Sequence, residues 1–172
     1  MDFYEVIEER ESVRSYDSKK PVLPEVLDRI LNAGRIAPSA ANRQPWTFVV
    51  VSTEEKLATV RPCYQRDWFQ NAPQILVIVG DKSKAWVRPK DGINSIETDL
   101  AIAMDHIILA AENEGVGTCW ILHYDYEILA KAIDLKENEI ICCITPLGYP
   151  EAGYHKRHNK IRKPMEKVVR YI

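Results

Sequence analysis

The chain is poor in cysteine chemistry: its four cysteines, Cys63, Cys119, Cys142 and Cys143, make no CxxC pair and no Cys/His cluster with zinc spacing. That removes the sequence signs of a structural zinc site and of a disulfide framework. Cys142 and Cys143 are neighbours inside an apolar run, where extended chain is expected to send the two thiols to opposite faces, so no bond between them is expected. An excess of one charge is also missing. A net charge of −2 and a pI near 6.1 give no general attraction to nucleic acid or anionic membrane, so any anion site must be local. The longest apolar segment, LAIAMDHIILAA, is broken by Asp105 and His106 and falls short of the ~20 residues of a spanning helix. Glu8, Glu9 and Arg10 stand where a secretion signal needs unbroken apolar chain, which leads to an expected cytoplasmic location. There is no internal repeat, and Gly115–Gly117 is no dinucleotide fingerprint, because it follows a helical pattern and precedes a strand pattern.

What is present is enough for one core. With 172 residues and 46% hydrophobic content the chain is expected to form a single domain over 1–172, with an arm from about residue 151. Helical spacing occurs at Phe3, Val6 and Ile7, and again from Val26 to Gly34 after Pro24. PWTFVVVS (45–52) and PQILVIVGD (73–81) read as buried strands, with a short helix in EEKLATVRPCY between them. The clearest helix runs from Asn94 to Glu114, with Gly115 placed to end it. GTCWIL then reads as a strand, DYEILAKAI as a helix and EIICCITPLGYP as a final strand. The expected fold class is α+β, a central mixed β-sheet flanked by helices on both faces.

Three polar concentrations carry the chemistry. In RESVRSY, from Arg10 to Tyr16, Arg10, Ser12 and Arg14 alternate; extended chain points them one way, toward an anion or a long polar ligand. A helix end decorated with solvated charge is the other reading. HKRHNKIRKP (155–164) places five cations on an acidic chain, and is either a solvated tail, a weak nucleic-acid contact, or an arm that returns to Arg10 and Ser12 around one phosphate. Arg10 and Arg14, about 13 Å apart in extended chain, cannot both grip that phosphate, so the ligand must be long. A phosphate near Arg10 and an electron-poor ring near Arg14 would suit a mononucleotide-like cofactor. APSAANRQPW (37–46) combines small residues with Asn42 and Gln44; it is an ordinary connection or a loop that lets backbone approach a flat ligand.

RESVRSY, APSAANRQPWTFVVVS, GVGTCWI, PLGYP and KIRKPMEKVV occur in the order and at roughly the separations seen in the nitroreductase family, and the chain resembles a short member from Arg10 to about Val169. The resemblance implies an obligate homodimer with an exchanged C-terminal arm and FMN bound without a covalent link at the subunit interface. It places Arg10 and Ser12 toward phosphate and ribityl, Arg14 toward the flavin pyrimidine, and Lys160 and Arg162 on the phosphate. Pro38, Ser39 and Ala40 match the loop that reaches the flavin of the partner subunit, with Asn42 beside it and Gln65 as a looser polar match. Two positions depart from the family pattern. Leu122 and His123 replace small residues where a backbone N–H meets flavin N5, which narrows the pocket. Glu11 puts a negative charge beside the phosphate, where it would weaken cofactor affinity.

The same resemblance implies hydride transfer from NADPH or NADH through the flavin to an electron-poor small molecule such as a nitroaromatic or quinone, by a ping-pong mechanism. The flavin carries the electrons, so no catalytic acid, base or metal is expected among the side chains. Trp86, in the short connection KSKAWVRPKDGINS, either covers the flavin face or anchors the loop, and His123 is the better substrate-facing histidine. Reductive dehalogenation, heterocycle oxidation or non-catalytic flavin binding on the same scaffold are the alternatives.

Overall fold

A computed structural model of the chain describes residues 1–158 and 160–172. Four strands, β1 (Trp46–Val51), β2 (Gln74–Asp81), β3 (Gly117–Thr118) and β4 (Glu139–Gly148), form one sheet in the order β1-β2-β4-β3. The helices are α1 (Phe3–Glu9), α2 (Pro24–Arg35), α3 (Glu54–Val60), α4 (Asp67–Gln70), α5 (Ile96–Asn113) and α6 (Tyr126–Ala132).

Strand β2 is buried along its length up to Asp81, so its apolar residues serve both faces. Leu76 and Ile78 join the core formed with Ile30 of α2 and Leu100, Met104 and Ile107 of α5. Ile75, Val77 and Val79 join the opposite core with Leu57 and Val60 of α3 and Leu129 of α6. Helices therefore cover both faces, as expected.

The sheet is not mixed. All three strand pairs are antiparallel, and the parallel feature among the described residues is a single bridge, Ser12 to Thr118. The physical reason is strand order. The β2–α5–β3 crossover does run the two strands in the same direction, but β4 inserts between them and pairs antiparallel with each. An interleaved sequence shows crossovers; it does not show which strand fills the gap.

Two further expectations change. GTCWIL is strand only at Gly117–Thr118, because the Cys119 N–H leaves the ladder for Thr145 Oγ1 (3.0 Å); pairing returns at the Ile121–Ile144 bridge. Cys142 and Cys143 do not face apart. A β-bulge makes the register step from Cys143 to Ile141 opposite Ile78 and Val79, leaving Cys142 as the extra residue, and both thiols pack against the α5 core. Both are free.

Helix α5 closes with Gly115 in the left-handed region (φ 72°), where its N–H reaches Glu112 O and the Val116 N–H reaches Ala111 O. That turn delivers the chain directly into β3. No helix among the described residues is long and apolar enough to cross a membrane.

Candidate functional site

Residues Arg10 to Tyr16 leave α1 as extended chain and lie along β3, with the Val13 N–H donating to Thr118 O (2.8 Å). The alternation read from the sequence is physical. Glu11 and Val13 turn inward, Arg10 and Ser12 are half-buried and Arg14 is exposed. Tyr16 is buried, its hydroxyl donating to Val13 O (2.8 Å). Arg14 holds its guanidinium 6.0 Å from the Trp68 ring centroid, at the outer reach of a cation–π contact.

The carboxy-terminal arm returns to this strip in the same chain. Arg157 donates from Nη2 to Ser12 O (3.2 Å), and Lys156 bridges Glu112 and Glu9, the latter at 3.3 Å. Lys160 donates to the carbonyls of Ile7 and Glu8, the last turn of α1, where the helix dipole favours a cation. Beyond it Ile161, Met165, Val168, Tyr171 and Ile172 are exposed. A cavity of about 410 Å³ opens here, with Glu8, Glu9, Glu11, Lys156, Lys160 and Arg162 among the residues on its walls.

Arg10, Lys160 and Arg162 stand close enough to repel. The Lys160 ammonium titrates below its usual range, first because it is partly desolvated and then because of the positive fields of Arg10 and Arg162, against which Glu9 and Glu112 act only in part. A phosphate dianion would offset that repulsion and accept from these donors, so the donor set fits the phosphate end of a nucleotide-like cofactor.

Glu11 also has a structural role. It is 8% exposed and faces away from Arg10 and Ser12, accepting from the Tyr154 hydroxyl and from the Arg157 N–H (3.1 Å). Its charge clasps the arm, and the residue also lines the cavity beside the strip. Burial alone would raise its pKa, but the bonds from Tyr154 and Arg157 and the charges of Arg157 and Lys156 hold it below the usual range. Tyr154, desolvated and bonded to Glu11, is pushed up to about 12. A carboxylate with a depressed folded pKa contributes stability above its unfolded value, about 4.3, that is lost as pH falls through the lower folded value. The Arg157 amide is therefore expected to stay protected from hydrogen exchange at pH 5 to 8 and to lose protection below about pH 4. Glu11→Gln is expected to remove that pH step; a step that survives it assigns the clasp elsewhere.

The loop Ala37–Pro45 lies at the opposite end of the molecule. Pro38 and Ser39 lead into a short 3-10 turn, Ala40–Asn42. Ala41, Asn42 and Gln44 all take positive φ (50°, 53° and 48°), unusual for three non-glycine residues so close together. Gln44 donates its backbone N–H to Ser39 Oγ (2.9 Å) and its side-chain amide to Asn42 Oδ1 (3.0 Å). The Ala40 N–H reaches Asp99 Oδ1 (2.8 Å) in the first turn of α5. Trp86 is half-buried at the same end, its carbonyl accepting from the Ser95 N–H (2.9 Å).

The arm contacts the far end of that helix, through the Lys156–Glu112 pair. Along α5, Asp99 and Glu112 are about 20 Å apart at the helical rise. One chain thus separates the loop (Pro38, Ser39, Ala40, Asn42) from the strip and arm. Leu122 (71% exposed) and His123 follow the Ile121 bridge on the surface, and Gln65 is exposed in the turn before α4. Sequence reasoning missed Trp68, Tyr154 and Asp99, and counted Arg157 only among the cations of the arm. The aromatic pair in DWFQN was the available sign for the first; the others become visible only once the arm and loop are placed.

Comparison with known proteins follows the same outline. The Nitroreductase family profile matches residues 7–63 and 59–149. A protein of Methanothermobacter thermautotrophicus, assigned as an NADH dehydrogenase/NAD(P)H nitroreductase, is 31% identical over 87% of this chain and 78% of its own. An iodotyrosine deiodinase of Haliscomenobacter hydrossis is 25% identical over 88% of this chain and 81% of its own. The crystal structure of a protein from Exiguobacterium sibiricum 255-15, assigned as a nitroreductase and solved in complex with FMN, shares the fold with a TM-score of 0.83, at 22% identity over 100% of this chain and 98% of its own.

Proposed function

The chain belongs to the nitroreductase family, and on that premise we propose that it is an FMN-dependent NAD(P)H oxidoreductase that works as a homodimer on a small electron-poor acceptor. The observation that carries this reading is the return of the arm to an extended donor strip, which brings Lys160 and Arg162 to an open cavity beside Arg10. Bound there, FMN would supply the redox chemistry, hydride transfer from NADH or NADPH to a nitroaromatic or quinone-like acceptor in ping-pong order.

The chain's own residues bind and orient. Arg10, Lys160 and Arg162 hold the phosphate, Ser12 meets the ribityl chain, and Arg14, steadied against Trp68, faces the pyrimidine edge where negative charge grows on reduction. No side chain is assigned as acid or base. Pro38, Ser39, Ala40 and Asn42 are too far from the strip of their own chain to share its ligand, which supports a site completed by the partner's loop. Trp86 travels with that loop. Leu122 and His123 border the acceptor side and Gln65 is an outer polar contact.

Lys156, Arg157 and Lys160 contact their own chain, so in this reading the exchanged segment is the one from Ile161 onward. Its exposed apolar side chains from Ile161 to Ile172 suit a partner's surface, and β1 has an unpaired outer edge.

Purified protein mixed with FMN is expected to show a bound-flavin spectrum, bleached under nitrogen by NADH or NADPH and restored by a nitroaromatic or quinone. A flavin that stays oxidised with both nicotinamides removes the reductase reading. The deiodinase relative favours one second reading, reductive dehalogenation, and iodotyrosine as the reoxidant in the same titration separates the two.

A further inference from the structure

Asp99 is 1% exposed in the first turn of α5, and its carboxylate accepts from two neutral donors: the Ala40 N–H on Oδ1 (2.8 Å) and the Ser95 hydroxyl on Oδ2 (2.7 Å). A buried carboxylate held this way is costly unless each oxygen is matched, and one match here is the backbone of a loop. That loop is strained, with Ala41, Asn42 and Gln44 all at positive φ. Left-handed non-glycine residues persist only where the surroundings over-determine them. Within the loop, Ser39 Oγ and Asn42 Oδ1 brace Gln44, but these bonds join loop to loop. The contact that ties the strained turn to the rigid helix is Ala40 to Asp99.

We propose that Asp99 is a positioning residue for the cofactor loop: by accepting the Ala40 N–H it fixes the strained turn 38–44 in the shape that meets the flavin of the partner subunit. The proposal rests on the flavin reading above for the identity of the ligand, while the anchor itself is a property of the single chain. Ser95 acts with Asp99 by holding the second oxygen and so setting the carboxylate plane. Asparagine at position 99 keeps an acceptor for Ala40 and lets the Ser95 hydroxyl reverse its role. Leucine is close in volume and keeps neither.

The test is amide hydrogen exchange by NMR on the full chain without cofactor, joined to FMN titration. In the wild type the Ala40 amide is expected to exchange at least 100-fold slower than an exposed loop amide. Asp99→Leu is expected to abolish that protection from Ala40 to Gln44 while the middle of α5 stays protected, and to weaken FMN at least tenfold. Asp99→Asn should leave both within about threefold of wild type, a rescue that general loss of packing would not give. If Asp99→Leu does not fold, Ser95→Ala serves, raising Ala40 exchange and the FMN dissociation constant together.

Fast Ala40 exchange in the wild type overturns the anchor. Lost protection with unchanged FMN affinity overturns its link to the cofactor. A wild-type protein that takes up no FMN overturns the flavin reading and that link, and Ala40 exchange then still decides the anchor.

Discussion

Replacing Arg10 and Arg162 together by alanine is expected to weaken FMN binding by at least ~100-fold, with little change in thermal stability. A hydrogen bond to a charged group contributes about 1.5–3 kcal/mol, so two lost phosphate contacts remove roughly 3–6 kcal/mol, and about 1.4 kcal/mol is a factor of ten. Stability should hold because Arg162 is exposed and Arg10 half-buried, and Arg162 donates to its own neighbour, Ile161 O (3.0 Å). Lys160 should respond as well: relieved of two repelling neighbours, it titrates closer to its ordinary value. Quenching of flavin fluorescence on titration measures the affinity. Binding retained within a few fold would mean that the phosphate lies elsewhere and that the strip was misread.

Gly117→Val is expected to lower the melting temperature by roughly 5–10 °C and to cost the cofactor too. The reason is how closely the strip lies on β3. A Cβ at position 117 would sit 2.9, 3.0 and 3.1 Å from Cγ1, Cβ and Cγ2 of Val13. Val13 is buried and β-branched, so it cannot turn aside, and the strip must lift away from Thr118. Overpacking of this kind costs about 1–3 kcal/mol, and here it also breaks the Val13-to-Thr118 backbone bond beside Ser12. Calorimetry with the same flavin titration checks both effects. A variant that melts like the wild type and binds FMN as tightly would show that the strip is not held where the structure puts it.

Much of this was legible before any coordinates, for reasons that differ from residue to residue. The direction of Arg10, Ser12 and Arg14 follows from a period of two, a local property of extended chain. The length of α5 follows from its apolar spacing and from Gly115, also local. Sheet direction depended on which strand enters between β2 and β3, a non-local choice that no segment records. Glu11 shows the same limit at the scale of one side chain. Its inward direction could be inferred from the same alternation, but its partner Tyr154 is 143 positions away, so the charge looked unopposed. Cys142 and Cys143 were misread because a bulge, invisible in an apolar run, breaks the alternation the reading relied on. Trp68 was hidden in α4, whose four residues are too few to show a period.

The distance along α5 between the loop and the strip has a genetic consequence. If each chamber borrows its loop from the neighbour, damage to the two ends is inherited separately. A mixed pair, one copy faulty at the strip and the other at the loop, would hold one chamber with both faults and one with neither. Two dead alleles could then rescue each other.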